Sequence, residues 1–413
     1  MPMLKILYRT FDGFERAFHQ QADHFRRVHP DVEFIITPID PEALYDKMIR
    51  ERGVFGDEWD VVLLLTDWLP DLMKMNGLTR LNDYLAQNPP PDWDAGWSPS
   101  LLELQRDTDG NIFALPYHDG PEMFMYRADL FENPAEQAAF AARYGYPLQP
   151  PQTWAQFRDV ATFFTRPEQG LYGAIIAGLN DGHNNVYDFF LHLWSRGGRL
   201  FDAGWRPAFN DAIGREALQY YADLILLDNV CPPNTLTYDS VASGVAYAAG
   251  EAAMMWNWCG FSAVAELPPS KIIGQNRVGL VPRGENGQHM SLNIYWVLGI
   301  PMGSANQDLA YQFVRHCATP EMDKITAISG GTGVRLSTWR DPDIQAQFSY
   351  YSAIEAVHRH VQSPPRIPEY PAINEVFNQM QHAVVTGEKS VSLALDEAAV
   401  EIESIMQAAG YYA

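Results

Sequence analysis

Apolar positions change their period repeatedly over the first 65 residues. Leu4 to Tyr8 is a short, largely apolar run suited to a buried strand, and Asp12-Gly13 closes it. Phe14, Ala17, Phe18, Ala22 and Phe25 then recur at steps of three and four, which predicts an amphipathic helix ending before Pro30. Val32 to Ile36 predicts a second strand, Ala43 to Arg52 a second helix, and the wholly apolar Val61 to Leu65 a third strand. This alternation predicts a parallel sheet covered by helices on both faces. Open sheets of that kind bind ligands beyond the carboxyl ends of their strands, here Thr10-Phe11-Asp12 and Thr66-Asp67-Trp68.

Further on, Asn88 to Ser100, with Trp93 and Trp97 among prolines, reads as a rigid loop. Asn111 to Pro116 and Glu122 to Tyr126 read as extended segments around Tyr117-His118-Asp119-Gly120-Pro121, a crossing between two lobes. Thr153 caps a helix carrying Trp154, Phe157, Val160, Ala161 and Phe164, and Tyr172 to Ala177 follows as a strand. Asn180, Asp181 and His183 precede another helix, where capping accounts for the first two. Asp211 to Leu227 predicts a long helix, and Glu251 to Met255, Leu280 and Leu292 to Ile300 predict strands. Helices follow from Asn306 to Cys317 and from Pro320, and the tail from Ala372 to Ala409 is helical with a break near Gly387.

Length and composition narrow the function classes. A chain of 413 residues favours two lobes over one core. The 51 acidic against 29 basic residues give a net charge of −22, which repels nucleic acid and anionic lipid and otherwise serves solubility. Cys231, Cys259 and Cys317 stand in no metal-ligand spacing and read as buried thiols, with one disulfide left open. No cofactor or metal is expected. No basic segment followed by a long apolar one opens the chain, so no export signal is visible, and no run of apolar residues is long enough to span a membrane.

Several stretches, in order, resemble one family. Trp59-Asp60-Val61-Val62 leads to Asp67-Trp68 and Gly77-Leu78-Thr79-Arg80-Leu81, like a "DVV" strand, ligand loop and "G-x-L-x-x-L" helix end. Gly110 to Phe131 is similar to that family's crossing segment, Pro151-Gln152-Thr153-Trp154 to its "P-x-TW" helix start, Gly250 to Met255 to its "G-x-aAM" strand, and Gly299 to Ser304 to a later strand end. Together they resemble the extracellular solute-binding protein family 1, whose members are similar to the maltose-binding protein and feed sugar importers of the ABC type.

The resemblance implies an α/β, two-lobed periplasmic-binding-protein-like fold of type II, each lobe a mainly parallel sheet flanked by helices, joined by a hinge that closes on a ligand. The division it implies is 1–115 with 260–318 for the N-terminal lobe and 116–259 with 319–413 for the C-terminal lobe. It further implies a monomer that docks on ABC permease transmembrane subunits and works in the periplasm or another extracytoplasmic space. The missing export signal leaves a cytoplasmic sugar sensor as an alternative.

A sugar presents C–H faces and a rim of hydroxyls, so its site needs flat aromatics beside a few planar polar groups. Asp67 reads as a hydroxyl acceptor or as a helix cap, and Trp68 as a ring for the ligand or for the core edge. Phe11 and Asp12 fit a ligand loop, although Asp12-Gly13 is also ordinary turn chemistry. Tyr117, His118 and Asp119 lie in the crossing segment, and His183 precedes a helix. Trp256 and Trp258 lie where the family often carries a stacking aromatic, with Asn257 between them, and are expected to form an aromatic wall. Tyr295 and Trp296 sit within an apolar strand, where core packing is the better reading, with Tyr295 kept as a ligand candidate. Arg335 follows Gly330-Gly331-Thr332-Gly333-Val334, a loop the family often turns toward the ligand, and an Arg there opens the way to an anionic sugar.

A glycoside-processing enzyme is the rival class. It requires two carboxylates at fixed spacing, which composition cannot pick out among 51 acidic residues. GxSxG, HExxH, GxxxxGK and strand-bound GxGxxG motifs are absent, and Asp107-Thr108-Asp109-Gly110 reads as a turn more than as a calcium loop. The expectation is therefore a binder and not an enzyme.

Overall fold

The computed structural model describes residues 2–412. Along the chain its strands are β1 (Met3–Arg9), β2 (Glu33–Ile39), β3 (Val61–Leu65), β4 (Ala114–His118), β5 (Glu122–Arg127), β6 (Tyr172–Ile175), β7 (Ala252–Trp258), β8 (Asn276–Gly279), β9 (Ser291–Leu292), β10 (Trp296–Gly299) and β11 (Val361–Gln362). The chain divides into two compact units. The first takes the residues up to Pro121 and Asn293–Arg359, the second Glu122–Leu292 and the residues from His360 onward.

In the first unit the strands run β2-β1-β3-β10-β4. β1 is parallel to β2 and β3, and β10 is antiparallel to both β3 and β4. The helix Asp12–Arg26 buries Phe14, Ala17, Phe18, Ala22 and Phe25, the stripe read from the sequence. Gln21 on that buried face donates to Met322 O at 3.0 Å and Thr326 Oγ1 at 2.9 Å, fixing the helix Pro320–Ile328 against it.

In the second unit the order is β6-β7-β5-β8, with β6 parallel to β7 and β5 antiparallel to both of its neighbours. Trp154, Phe157, Val160, Ala161 and Phe164 pack into its core beside Phe124, Met254 and Trp256. Their helix, Trp154–Phe164, starts on a capping box in which Thr153 and Gln156 satisfy each other's backbone N–H groups.

The expected fold class holds with three corrections. Both sheets are mixed, because β10 and β5 insert against the direction of their neighbours. The expected run Leu292 to Ile300 is two strands, since Asn293 leaves β9 to donate to Ser100 O at 2.8 Å and Tyr295 N–H turns to Thr66 Oγ1 at 3.1 Å. The unit limits differ from the expected lobes as well. Residues 260–292 go with the second unit because β8 pairs with β5, and 319–359 with the first because the helix at Pro320 packs on Asp12–Arg26. The three cysteines are buried. Among the described residues no helix is long and apolar enough to cross a membrane.

Candidate functional site

Each unit gathers polar and aromatic side chains at one edge of its sheet. In the first, β1 ends at Arg9, β3 runs into a single turn at Thr66–Trp68, and β4 ends at His118. β10, running the other way, begins at that same edge with Trp296 opposite Leu65 and His118. Trp68 meets Trp296 edge-on at 5.6 Å between centroids and Tyr45 at 5.4 Å. Phe11, 38% exposed, lies edge-on to Phe14 at 4.9 Å, and His118 lies 4.8 Å from Phe14. Asp67 sits half-buried in the turn, and Asp12 is exposed in the first turn of its helix, where negative charge suits the N-terminus.

Two groups at this edge have a defined hydrogen-bonding character. Thr332 N–H donates to His118 Nδ1 at 2.7 Å, so the proton of the neutral ring sits on Nε2. Burial, and after it the charge of Arg9, pushes the His118 pKa down to about 3, so the ring stays neutral. The Arg9 guanidinium lies 5.2 Å from the Trp296 ring, 5.6 Å from Phe11 and 5.8 Å from Phe14. Its Nε is buried with no hydrogen-bond partner, and burial lowers its pKa against the opposing pull of Asp40. Gly13 makes room here, since a Cβ on it would fall 2.6 Å from the Phe11 ring and 3.0 Å from the Gly330 carbonyl carbon.

In the second unit β7 ends at Trp258, paired with Glu122 at the start of β5. Trp258 donates from Nε1 to Asn184 Oδ1 at 3.1 Å, and His183 Nδ1 lies 2.9 Å from that same oxygen. An indole N–H can only donate, so this atom of Asn184 is its oxygen and His183 Nδ1 carries a proton. Asn184 Nδ2 donates in turn to Glu122 Oε1 at 3.3 Å. The rings of His183 and Tyr187 lie 5.4 and 5.9 Å from Trp258, giving three aromatic faces around one amide. Asn374 donates to Gly182 O at 2.7 Å, and Asn378 Oδ1 accepts from Gly182 N–H at 3.0 Å and from Asn185 at 2.6 Å, which fixes the loop entering the helix Asn184–Trp194.

Beneath this cluster lie two buried carboxyls. Desolvation raises the pKa of Glu122, reinforced by the charge of Asp188, and desolvation likewise raises that of Asp188. Glu122 Oε2 and Asp188 Oδ2 have no hydrogen-bond partner.

Five expected site residues are structural instead. Trp256 is 2% exposed, stands among Trp154 and Phe157, and donates to Asp188 Oδ1 at 2.7 Å, so it belongs to the core. Tyr295 is buried with its hydroxyl on Gln105 Oε1 at 2.6 Å. Tyr117 stacks on Phe18 at 4.7 Å and donates to Gln21 Oε1 at 3.0 Å. Asp119 is buried against His358 Nε2 at 2.7 Å. Arg335 is 1% exposed, lies 4.1 Å over Trp97, and donates to Ala318 O at 2.8 Å and Pro91 O at 2.9 Å, which leaves it no part in holding an anionic sugar.

Phe11, Asp12, Asp67, Trp68, His118, His183 and Trp258 remain at the sheet edges. Nothing in the sequence marks Arg9, Asn184 or Tyr187, and the apolar strand around Trp296 favours core packing there. Tyr295, just before β10, is buried, while Trp296, which opens the strand, is only partly so. Asp107 accepts from the N–H groups of Asp109 at 2.9 Å and Asn111 at 2.8 Å, the turn its spacing suggested. Among the described residues no group of His, Cys, Asp and Glu is arranged to hold a metal.

Residues 11–324 match the family model described as bacterial extracellular solute-binding protein. A mannitol-binding protein of Pseudomonas aeruginosa is 24% identical, over 94% of this chain and 89% of the relative. Among solved structures, maltose-bound MalE3 of T. maritima superposes with a TM-score of 0.84 at 22% identity, over 98% of this chain and all (100%) of the other. An ABC transporter solute-binding protein from Agrobacterium radiobacter K84 in complex with ribitol gives 0.83 at 22% identity, over 98% of each chain. At such identities the structures show a shared MalE-like fold, while the family model extends over most of the sequence. The chain belongs to the bacterial extracellular solute-binding protein family.

Proposed function

We propose that the ligand is a polyol or small saccharide, held by aromatic faces beside amide and carboxyl groups and released unaltered. The chain is the solute-binding component of an ABC-type carbohydrate importer. One observation carries the choice of ligand: Trp258, Tyr187 and His183 surround Asn184, which is itself joined to Glu122. Flat rings cover C–H faces and a fixed amide orders hydroxyls, the pairing a polyhydroxylated solute needs. The relatives described with mannitol, ribitol and maltose support the same class.

The proposed contacts are Phe11, Asp12, Asp67, Trp68 and His118 in the first unit and His183 and Trp258 in the second, with Asn184 holding the indole. Delivery goes to the transmembrane subunits of a permease, by a monomer in the periplasm or another space outside the cytoplasm.

Calorimetry and thermal unfolding with mannitol, ribitol, glucose and maltose test this reading. A binder gains stability with free ligand as RT ln(1 + [L]/Kd), so saturating amounts raise Tm by several degrees and mass spectrometry recovers the ligand unchanged. No shift with any of them would remove the polyol or saccharide, and a converted product would restore the enzyme class.

A further inference from the structure

Arg335 and Arg9 each bury an Nε without a hydrogen-bond partner; Arg335 has its other two nitrogens on backbone carbonyls and its face on Trp97, whereas Arg9 stands at the carboxyl edge of the first unit's sheet. Arg9 ends β1 among the rings of Trp296, Phe11 and Phe14. Ring faces recover only part of what a guanidinium loses on leaving water. Asp40, whose charge favours the cation, is engaged as a helix cap by Glu42 N–H at 2.9 Å, and no ion pair forms at Arg9 among the described residues.

A second donor lies close by. His118 shares the Phe11 and Phe14 rings with Arg9, and its Nδ1 is occupied by Thr332 N–H, which leaves the neutral ring an N–H at Nε2. Its depressed pKa keeps it a one-proton donor throughout the neutral range. The unpartnered Arg9 Nε and the His118 N–H thus flank the same two rings, in a chain whose net charge of −22 otherwise offers anions little.

We propose that Arg9 contacts the ligand and selects a polyol or sugar carrying a carboxylate, an aldonate or uronate, whose oxygens take the guanidinium fork and the His118 Nε2–H. This rests on the reading of the chain as a polyol or saccharide binder and names the charge of its solute. A carboxylate matches the planar guanidinium in two parallel hydrogen bonds, whereas a hydroxyl engages one arm and leaves the charge uncompensated.

Calorimetry on the full chain with matched pairs decides it: mannitol with mannonate, glucitol with gluconate, glucose with glucuronate, each at low and high salt. The expected result is one acid binding at least about tenfold tighter than its neutral partner, with that margin shrinking as salt rises. Arg9→Gln should then weaken the acid by about ten- to hundredfold and the neutral partner by a clearly smaller factor, with Arg9→Lys falling between. Neutral solutes binding as tightly as their acids in every pair, or Arg9→Gln weakening both alike, overturns the acid and leaves polyol binding standing. If no member of any pair binds, both readings fall. Should Arg9→Gln not fold, the wild-type pair comparison and its salt dependence still decide the charge of the solute.

Discussion

Trp258 hangs its indole N–H on Asn184 at 3.1 Å, one helical turn from Asp188, which takes the indole of Trp256 at 2.7 Å. The two tryptophans share a face of β7 because they are two residues apart, and their acceptors share a face of the helix because they are four apart. Depth separates them, the outer ring being half-buried and the inner one sealed. Trp258→Ala should therefore weaken ligand binding by about 1 to 3 kcal/mol with little change in the urea midpoint. Trp256→Ala should cost about 3 to 5 kcal/mol of folding stability. Calorimetry and urea titration on both variants check the assignment, and the opposite pattern would exchange their roles.

Asn184 holds Trp258, His183 and Glu122 through one amide. Its replacement by alanine removes the acceptor that orients the indole, so affinity should fall by about 1 to 2 kcal/mol. The tryptophan emission of the unliganded protein should change as well. Unaltered affinity would show that the rings bind without this support.

Glu122 and Asp188 have pKa values raised by burial, so the folded chain keeps protons that the unfolded chain releases above about pH 4. Their contribution is complete at acid pH and is lost as pH rises toward the folded-state values. The urea midpoint should decline between about pH 5 and 8. The double variant Glu122→Gln with Asp188→Asn should show a flatter profile, and an unchanged slope would assign the decline to other groups.

Arg335 joins three segments, with its guanidinium on Ala318 O and Pro91 O and its backbone N–H on Asp323 Oδ2 at 3.1 Å. Arg335→Ala strands these carbonyls and uncovers Trp97, at a cost of about 3 to 5 kcal/mol by urea titration. Ligand affinity of the folded variant should stay within about twofold if the residue is structural, since it offers the ligand nothing. A large loss of affinity with unchanged stability would return it to the site.

What could be read in advance was local. β3 lies where its unbroken apolar run put it, Thr153 caps the helix that Gln156 completes, and Phe14 to Phe25 bury the stripe their spacing drew. The loop from Gly330 reads as one that turns toward a ligand, and in the structure its Thr332 N–H donates to His118 Nδ1. Near-neighbour rules suffice for such features because each residue answers mainly to residues within one turn or one strand pair.

The sequence by itself determined the α/β alternation, the family, and which loops follow the ends of β1 and β3. Only the tertiary structure decided that Tyr295 is sealed while Trp296 reaches the edge, that Trp256 is core and Trp258 is not, and that Arg335 has two nitrogens on backbone carbonyls while Arg9 lies among aromatic rings. Composition gives each of these pairs the same chemistry. What separates them is the number of atoms arriving from segments distant in the chain, since burial and hydrogen-bond satisfaction are properties of the packed whole.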